Sequence, residues 1–169
     1  MVQEVTPDEF LADVTGNLDR AHRQLRSPAF REALYRHIHP QAEFAQLSLL
    51  RVLFSLEYDY RSNEDAQEED DYKYFENIYW CALFLYQIGD VTDVLPMWRA
   101  KNIDMDTGCG FDVQFMVGAG PEETCAFLEQ SEEPGAAQAL DYIQASLQTG
   151  AFADLKGWHE GRVSYYADL

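Results

Sequence analysis

Three aspartates, Asp104, Asp106 and Asp112, are the residues whose type and spacing could best support chemistry. They lie in a glycine-bearing segment, and alternating carboxylates in such a loop can converge on a hard cation such as Ca²⁺. The segment departs from the EF-hand pattern, because Cys109 occupies the sixth position and Phe115 the twelfth, where glycine and glutamate are needed. We therefore favour a structural loop whose aspartates cap neighbouring helices, with partner contact as a further role.

Other candidate chemistry is sparse. His37 and His39 are two residues apart, a spacing that suits a metal on a strand but points to different sides of a helix. The sequence contains no G-x-S-x-G, no H-E-x-x-H, no phosphate-binding glycine loop and no dinucleotide fingerprint. We predict a protein without enzymatic activity, cofactor or metal. A metal-dependent enzyme that uses Asp104, Asp106 and Asp112 is an alternative.

The charge balance indicates the kind of partner. The chain has 30 Asp and Glu against 12 Lys and Arg, a formal net charge of −18. Such a field repels the phosphates of nucleic acids and anionic lipids, and it attracts a basic protein. We therefore predict a basic protein partner, no nucleic acid and no membrane.

The carboxylates are densest in the segment 61–71. Because this segment has no apolar residue apart from Ala66, we predict a solvated loop or a frayed helix end. Tyrosines flank this acidic loop, and tyrosines beside carboxylates are common at protein interfaces. The predicted partner contacts are Glu64, Asp65, Glu68, Glu69, Asp70, Asp71, Tyr72, Asp104, Asp106 and Asp112.

Signals for helix starts recur along the chain, and the predicted helices must position the candidate residues. Thr6-Pro7 and Ser27-Pro28 are N-cap and first-turn pairs, and Pro40 starts a third helix whose apolar stripe includes Phe44. The segment from Tyr72 to Ile88 is apolar nearly all round, which is typical of a central helix. We predict an all-α fold of about seven or eight helices, an antiparallel bundle or a small array of helix pairs, in a single domain over residues 1–169.

The cysteines and the N-terminus indicate a compartment. Cys81, Cys109 and Cys125 are an odd number without close pairing, which suits free thiols in a reducing cytosol. The N-terminus lacks the basic and apolar regions of a signal peptide. The longest apolar stretch, from Ile78 to Ile88, is shorter than the roughly 20 residues of a membrane span. We predict a cytoplasmic protein.

A small, acidic, helix-rich chain without a catalytic motif resembles the immunity proteins that bacteria make against polymorphic or contact-delivered toxins. The resemblance lies in the general character of the chain and in the segment from Asp93 to Gly120. It implies that the protein binds and occludes a toxin domain, often a basic nuclease, with carboxylates and aromatic residues at the contact. No family residue transfers position by position. The alternative is a helical adaptor that holds a peptide in an apolar groove, whose affinity would change little with salt.

Overall fold

The structure is a computed structural model that describes residues 5–12 and 23–169. Over these residues the chain forms ten α-helices, three short 3-10 helices and no strand. The predicted all-α class is confirmed. The predicted number of seven or eight helices is too low.

The helices follow one another with short connections. The α-helices are α1 Pro7–Ala12, α2 Pro28–Ile38, α3 Leu47–Arg61, α4 Glu64–Glu69, α5 Asn77–Ile88, α6 Val94–Lys101, α7 Met105–Gly110, α8 Pro121–Gln130, α9 Ala136–Gln148 and α10 Leu155–Ala167. The 3-10 helices are Phe44–Gln46, Val91–Asp93 and Val113–Val117.

Two of the additional helices lie where the sequence predicted loops. The acidic loop predicted over 61–71 contains α4, because the Asn63 side chain accepts a 3.2 Å hydrogen bond from the Ala66 amide at its start. The loop predicted around Asp104 contains α7, because the Asp104 carboxylate accepts a 2.6 Å bond from the Thr107 amide. A single capping residue is enough to close one helical turn here.

The predicted helix starts are largely confirmed. Thr6 and Glu9 bond reciprocally around the first turn of α1, in the pattern of a capping box. Ser27 caps α2 through the Phe30 amide. The third helix begins later than Pro40, and the Phe44 side chain, predicted in its apolar stripe, is 75% exposed. The predicted first helix extends into residues 13–22, which lie outside the described part of the chain.

Contacts group the chain into two compact units, residues 1–81 and residues 82–169. Each unit is described here by itself, and the single domain predicted over 1–169 stays a prediction. In the described residues no helix is both long and apolar enough to cross a membrane.

The first unit is held by apolar residues around a buried ion pair. Arg31 donates to Glu57 through Nε at 2.6 Å and through a terminal nitrogen at 2.9 Å, and both side chains are almost fully buried. The Tyr35 hydroxyl adds a 2.8 Å bond to the same carboxylate. Arg31 also donates to the Leu25 carbonyl at 2.8 Å. One guanidinium therefore joins α2, α3 and the chain that precedes α2.

The residues Ile78 to Leu85 of α5 are all buried, which confirms the prediction that this segment is a central helix. It begins at Asn77, five residues after the predicted start at Tyr72. Its C-terminal end belongs to the second unit, in which α8 packs against α9 and α6 against the Val113–Val117 helix. The second core is formed by buried side chains such as Phe111, Phe115, Leu128 and Ile143.

Candidate protein-binding surface

The acidic helix α4 is oriented by its one buried polar residue, Gln67. The Gln67 amide donates to the Arg61 carbonyl at 3.0 Å, and its oxygen accepts from the Arg61 guanidinium at 2.8 Å. Because the side chain of Gln67 points inward, the flanking positions of the same turn point to solvent. The exposed residues that result are Glu64, Asp65, Glu68 and Glu69.

The carboxylates of residues 64–71 are not neutralised by ion pairs within the described part of the chain. In the described part of the chain, none of the six carboxylates of residues 64–71 forms an ion pair with a Lys, Arg or His side chain. Only Asp70 is half-buried, and it accepts a 3.2 Å hydrogen bond from the Tyr60 hydroxyl. Six carboxylates within eight residues therefore produce a local negative field.

The turn that follows α4 brings aromatic side chains beside this charge. Asp71 and Tyr72 both have left-handed backbone conformations, with φ of 53° and 55°. The Tyr72 amide closes the end of the helix by donating to the Gln67 carbonyl at 2.8 Å. Tyr72 is 45% exposed and Phe75 is 43% exposed. An exposed aromatic pair thus adjoins the exposed carboxylates.

Electrostatic contact links Tyr72 to the helix. Partial desolvation, followed by the carboxylates of Glu68 and Glu64, raises the pKa of the Tyr72 hydroxyl. The phenol therefore lies within range of two predicted contact residues. We call residues 64–72 together with Phe75 the acidic-aromatic surface.

The other three predicted contacts lie in the second unit and have different environments. Asp104 caps α7, as the sequence indicated. Asp106 is exposed in the first turn of that helix. Asp112 accepts a 2.7 Å hydrogen bond from the Trp158 indole and forms an ion pair with Arg162. Asp112 is therefore engaged inside its own unit, which the sequence did not reveal because Trp158 and Arg162 lie more than forty positions away.

The three aspartates differ in their surroundings, and the metal alternative stays a prediction. Among the described residues no group of three or more His, Cys, Asp or Glu side chains is arranged to hold a metal ion. The Lys101 ammonium instead organises this segment, since it donates to the carbonyl oxygens of Gly108 at 2.6 Å and Phe111 at 2.7 Å. His37 bonds the Ala33 carbonyl and lies 3.5 Å from the Asp8 carboxylate.

Sequence reasoning missed two features of the surface. Phe75 was expected on the apolar side of a helix, but it lies in the turn before α5 and is exposed. A second group of exposed carboxylates lies on and just after α8, where no uninterrupted run of charge drew attention. Its members are Glu122, Glu123, Glu129, Glu132 and Glu133. The excess of acidic residues in the C-terminal half was the available signal.

Over residues 5–12 and 23–169 the chain is all-α, and the carboxylates of its acidic-aromatic surface form no ion pair with a Lys, Arg or His side chain of that part. Comparison with protein-family models, with curated proteins and with solved structures found no match for the chain.

Proposed function

We propose that this chain is a non-enzymatic binding protein that sequesters a basic protein partner through the acidic-aromatic surface. The observation that carries the proposal is that carboxylates of α4 without an ion pair among the described residues lie next to the exposed rings of Tyr72 and Phe75. Carboxylates steer a basic partner and fix its orientation, whereas aromatic rings supply the desolvated contact that slows dissociation. The two kinds of group thus serve two steps of one binding event.

We further propose that the partner is a toxin domain and the chain its immunity protein, acting in the bacterial cytoplasm. This part rests on the general resemblance of small, acidic, helix-rich chains to immunity proteins, and on the formal net charge of −18. An inhibitor of a basic nuclease must cover a cationic substrate site, and a negative surface is the electrostatic complement of such a site.

The test begins with the partner. The tagged full-length chain is used to capture proteins from its native lysate at about 50 mM salt, where electrostatic attraction is weakly screened, and the bound proteins are eluted by rising salt. A single basic protein released as salt rises supports the proposal. Partners that resist salt favour the adaptor alternative, whose contacts are apolar.

Two variants of equal net charge then test whether the partner binds at α4. One carries Glu64→Gln, Asp65→Asn, Glu68→Gln and Glu69→Gln on α4. The matched control carries Glu122→Gln, Glu123→Gln, Glu129→Gln and Glu132→Gln around α8, so that both lose four negative charges. At low salt the α4 variant should associate with the captured partner about tenfold more slowly and with a flatter salt dependence. Equal slowing in both variants would mean that net charge acts without a defined surface.

If the captured partner is toxic when expressed alone, co-expression of the wild-type chain should restore growth. The α4 variant should restore it less well than the α8 variant. Tyr72→Ala combined with Phe75→Ala should chiefly accelerate dissociation, because the rings contribute contact and not charge. A captured basic protein that is harmless when expressed alone would contradict the toxin part of the proposal and leave the binding part intact.

A further inference from the structure

The C-terminal helix α10 is attached to the second unit differently from the other long helices. Of its 13 residues only Tyr166 is buried, whereas α9, which also has 13 residues, has three buried residues, Ala136, Ala139 and Ile143. Apolar burial is the main source of local stability, so segments with little of it open at lower free energy than the core. The attachment of α10 must rely on other contacts.

Polar contacts at Asp112 join α10 to the residue that precedes the Val113–Val117 helix. The Asp112 carboxylate accepts a 2.7 Å hydrogen bond from the Trp158 indole and a 3.0 Å bond from Arg162 Nε, and a terminal guanidinium nitrogen of Arg162 approaches the same oxygen. The side chains of Arg162 and Asp112 are 26% and 28% exposed. Water and salt therefore reach this ion pair and weaken it, as they do not reach a fully buried pair.

Aromatic contacts lie directly beneath the same residues. The Trp158 ring meets Phe115 edge-to-face at 4.9 Å and Tyr86 at 5.0 Å between centroids, and the Arg162 guanidinium lies 5.4 Å from the centre of the Phe115 ring. The Gln87 amide and the His159 ring are 3.1 Å apart. Phe115 is fully buried. Departure of α10 would turn these covered rings into an exposed apolar surface.

The connection before α10 allows such a departure. Helix α9 ends at Gln148 and α10 starts at Leu155. Between them Thr149, Gly150, Ala153 and Asp154 are exposed. The Gln114 side chain holds this connection through a 2.9 Å hydrogen bond to the Ala151 carbonyl. Beyond that bond, the exposed Ala153 and Asp154 can change their backbone angles without disturbing a packed core.

We propose that α10 detaches as a unit while the rest of residues 82–169 keeps its fold, and that the Asp112 carboxylate sets how often it does so. Detachment uncovers the rings of Tyr86 and Phe115 together with Trp158 on the helix itself. The inference concerns a motion of the second unit and does not depend on the acidic-aromatic surface.

Hydrogen exchange of the full-length chain, read by mass spectrometry, tests this proposal. Asp112→Asn keeps the size of the side chain and removes its charge, so the charge-assisted bonds become ordinary ones. Amides of residues 155–167 should then exchange roughly tenfold faster, while those of α9, Ala136–Gln148, in the same unit keep the wild-type rate. The matched control is Lys156→Ala, which removes the exposed Lys156–Glu160 pair from the outer face of the same helix and should change neither rate.

A second arm uses the wild-type chain and so does not depend on the folding of a variant. Raising NaCl from about 50 mM to about 1 M screens the Asp112–Arg162 pair and should selectively accelerate exchange in α10. Acceleration spread equally over α9 and α10 in Asp112→Asn would show that the helix opens only with its whole unit. An α10 rate unchanged by both salt and Asp112→Asn would show that the carboxylate does not hold the helix. Either result overturns the proposal.

Discussion

The Tyr60 hydroxyl donates a 3.2 Å hydrogen bond to the Asp70 carboxylate, so α3 is bonded to the residue that ends the acidic helix α4. Asp70 is thereby the one half-buried member among six neighbouring carboxylates. The bond anchors the end of α4 while the other carboxylates stay exposed. It also couples the ionisation of a buried tyrosine to the stability of the first unit.

This coupling predicts a loss of stability in alkaline solution. Burial, reinforced by the charge of Asp70, raises the pKa of Tyr60 to about 12, whereas an unfolded tyrosine titrates near pH 10. The folded chain therefore holds the Tyr60 proton more tightly than the unfolded chain. The resulting contribution to the unfolding free energy is present in full below about pH 10 and is lost as the pH rises towards about 12. Tyr60→Phe should show a flatter fall of unfolding free energy over that interval, measured by urea titration at several pH values.

Tyr58→Phe, on the same helix, is the matched control for the loss of one hydroxyl. Other tyrosines titrate in all three chains, so the difference between wild type and Tyr60→Phe isolates Tyr60. Parallel stability curves for wild type and Tyr60→Phe would contradict the prediction.

The buried Arg31–Glu57 ion pair predicts a large loss of unfolding free energy when the Glu57 carboxylate is replaced by an amide. Burial raises the pKa of Glu57, while hydrogen bonds from Arg31 and Tyr35 lower it, and the nearby carboxylate raises the pKa of Arg31 against its own burial. Glu57→Gln leaves the Arg31 cation without a counter-charge and should cost about 3–5 kcal/mol of unfolding free energy. The double variant Arg31→Met/Glu57→Leu should lose less unfolding free energy than the sum of the losses in Arg31→Met and in Glu57→Leu measured separately.

Urea denaturation measures these differences. Glu32→Gln supplies the comparison, because it removes the partly exposed Arg36–Glu32 pair from α2, the helix that carries Arg31, and should cost less than about 1 kcal/mol. A similar small loss in Glu57→Gln would mean that water or a neighbouring group neutralises Arg31 in the folded chain.

A close backbone approach in the second unit predicts that Gly118 tolerates no side chain. A Cβ added there would lie 2.5 Å from the Tyr86 carbonyl oxygen and 2.8 Å from the Tyr86 Cα, and backbone atoms cannot swing aside. Gly118→Ala should therefore lower the unfolding free energy by about 1–3 kcal/mol. Gly161→Ala in α10 meets no atom within 4 Å and should instead raise it by about 0.5–1 kcal/mol. Thermal unfolding by circular dichroism distinguishes the two signs.

The left-handed backbone of Asp71 predicts that glycine is more stable than valine at this position. Its φ of 53° is available to glycine at no steric cost and is strained for a β-branched residue. Asp71→Val should be about 1–2 kcal/mol less stable than Asp71→Gly, although both lose the same charge. At Glu68, within α4, the order should reverse, because valine is the better helix former there. Melting temperatures of the four variants provide the measurement, and an unreversed order would exclude the left-handed conformation as the cause.

The sequence by itself determined what depends on near neighbours. N-caps such as Ser27 and Asp104 act within three residues, so their helices could be located or their capping role anticipated. An apolar segment with almost no polar side predicted the central helix α5, because such a segment must be covered on nearly all sides. The acidic character and the density of carboxylates at 64–71 are likewise properties of composition.

The tertiary structure decided what depends on residues distant in the chain. From the sequence, Glu57 is one more helix carboxylate, and only the fold pairs it with Arg31, 26 positions away. Asp112 was predicted as a partner contact, but α10 brings Arg162 to it from 50 positions away. The exposure of Phe75 follows from a turn that a left-handed Tyr72 closes, a conformation that residue type does not suggest. Local hydrogen bonding and hydrophobic pattern are encoded in short windows, whereas pairing of charges and exposure of a given ring depend on which distant segments meet.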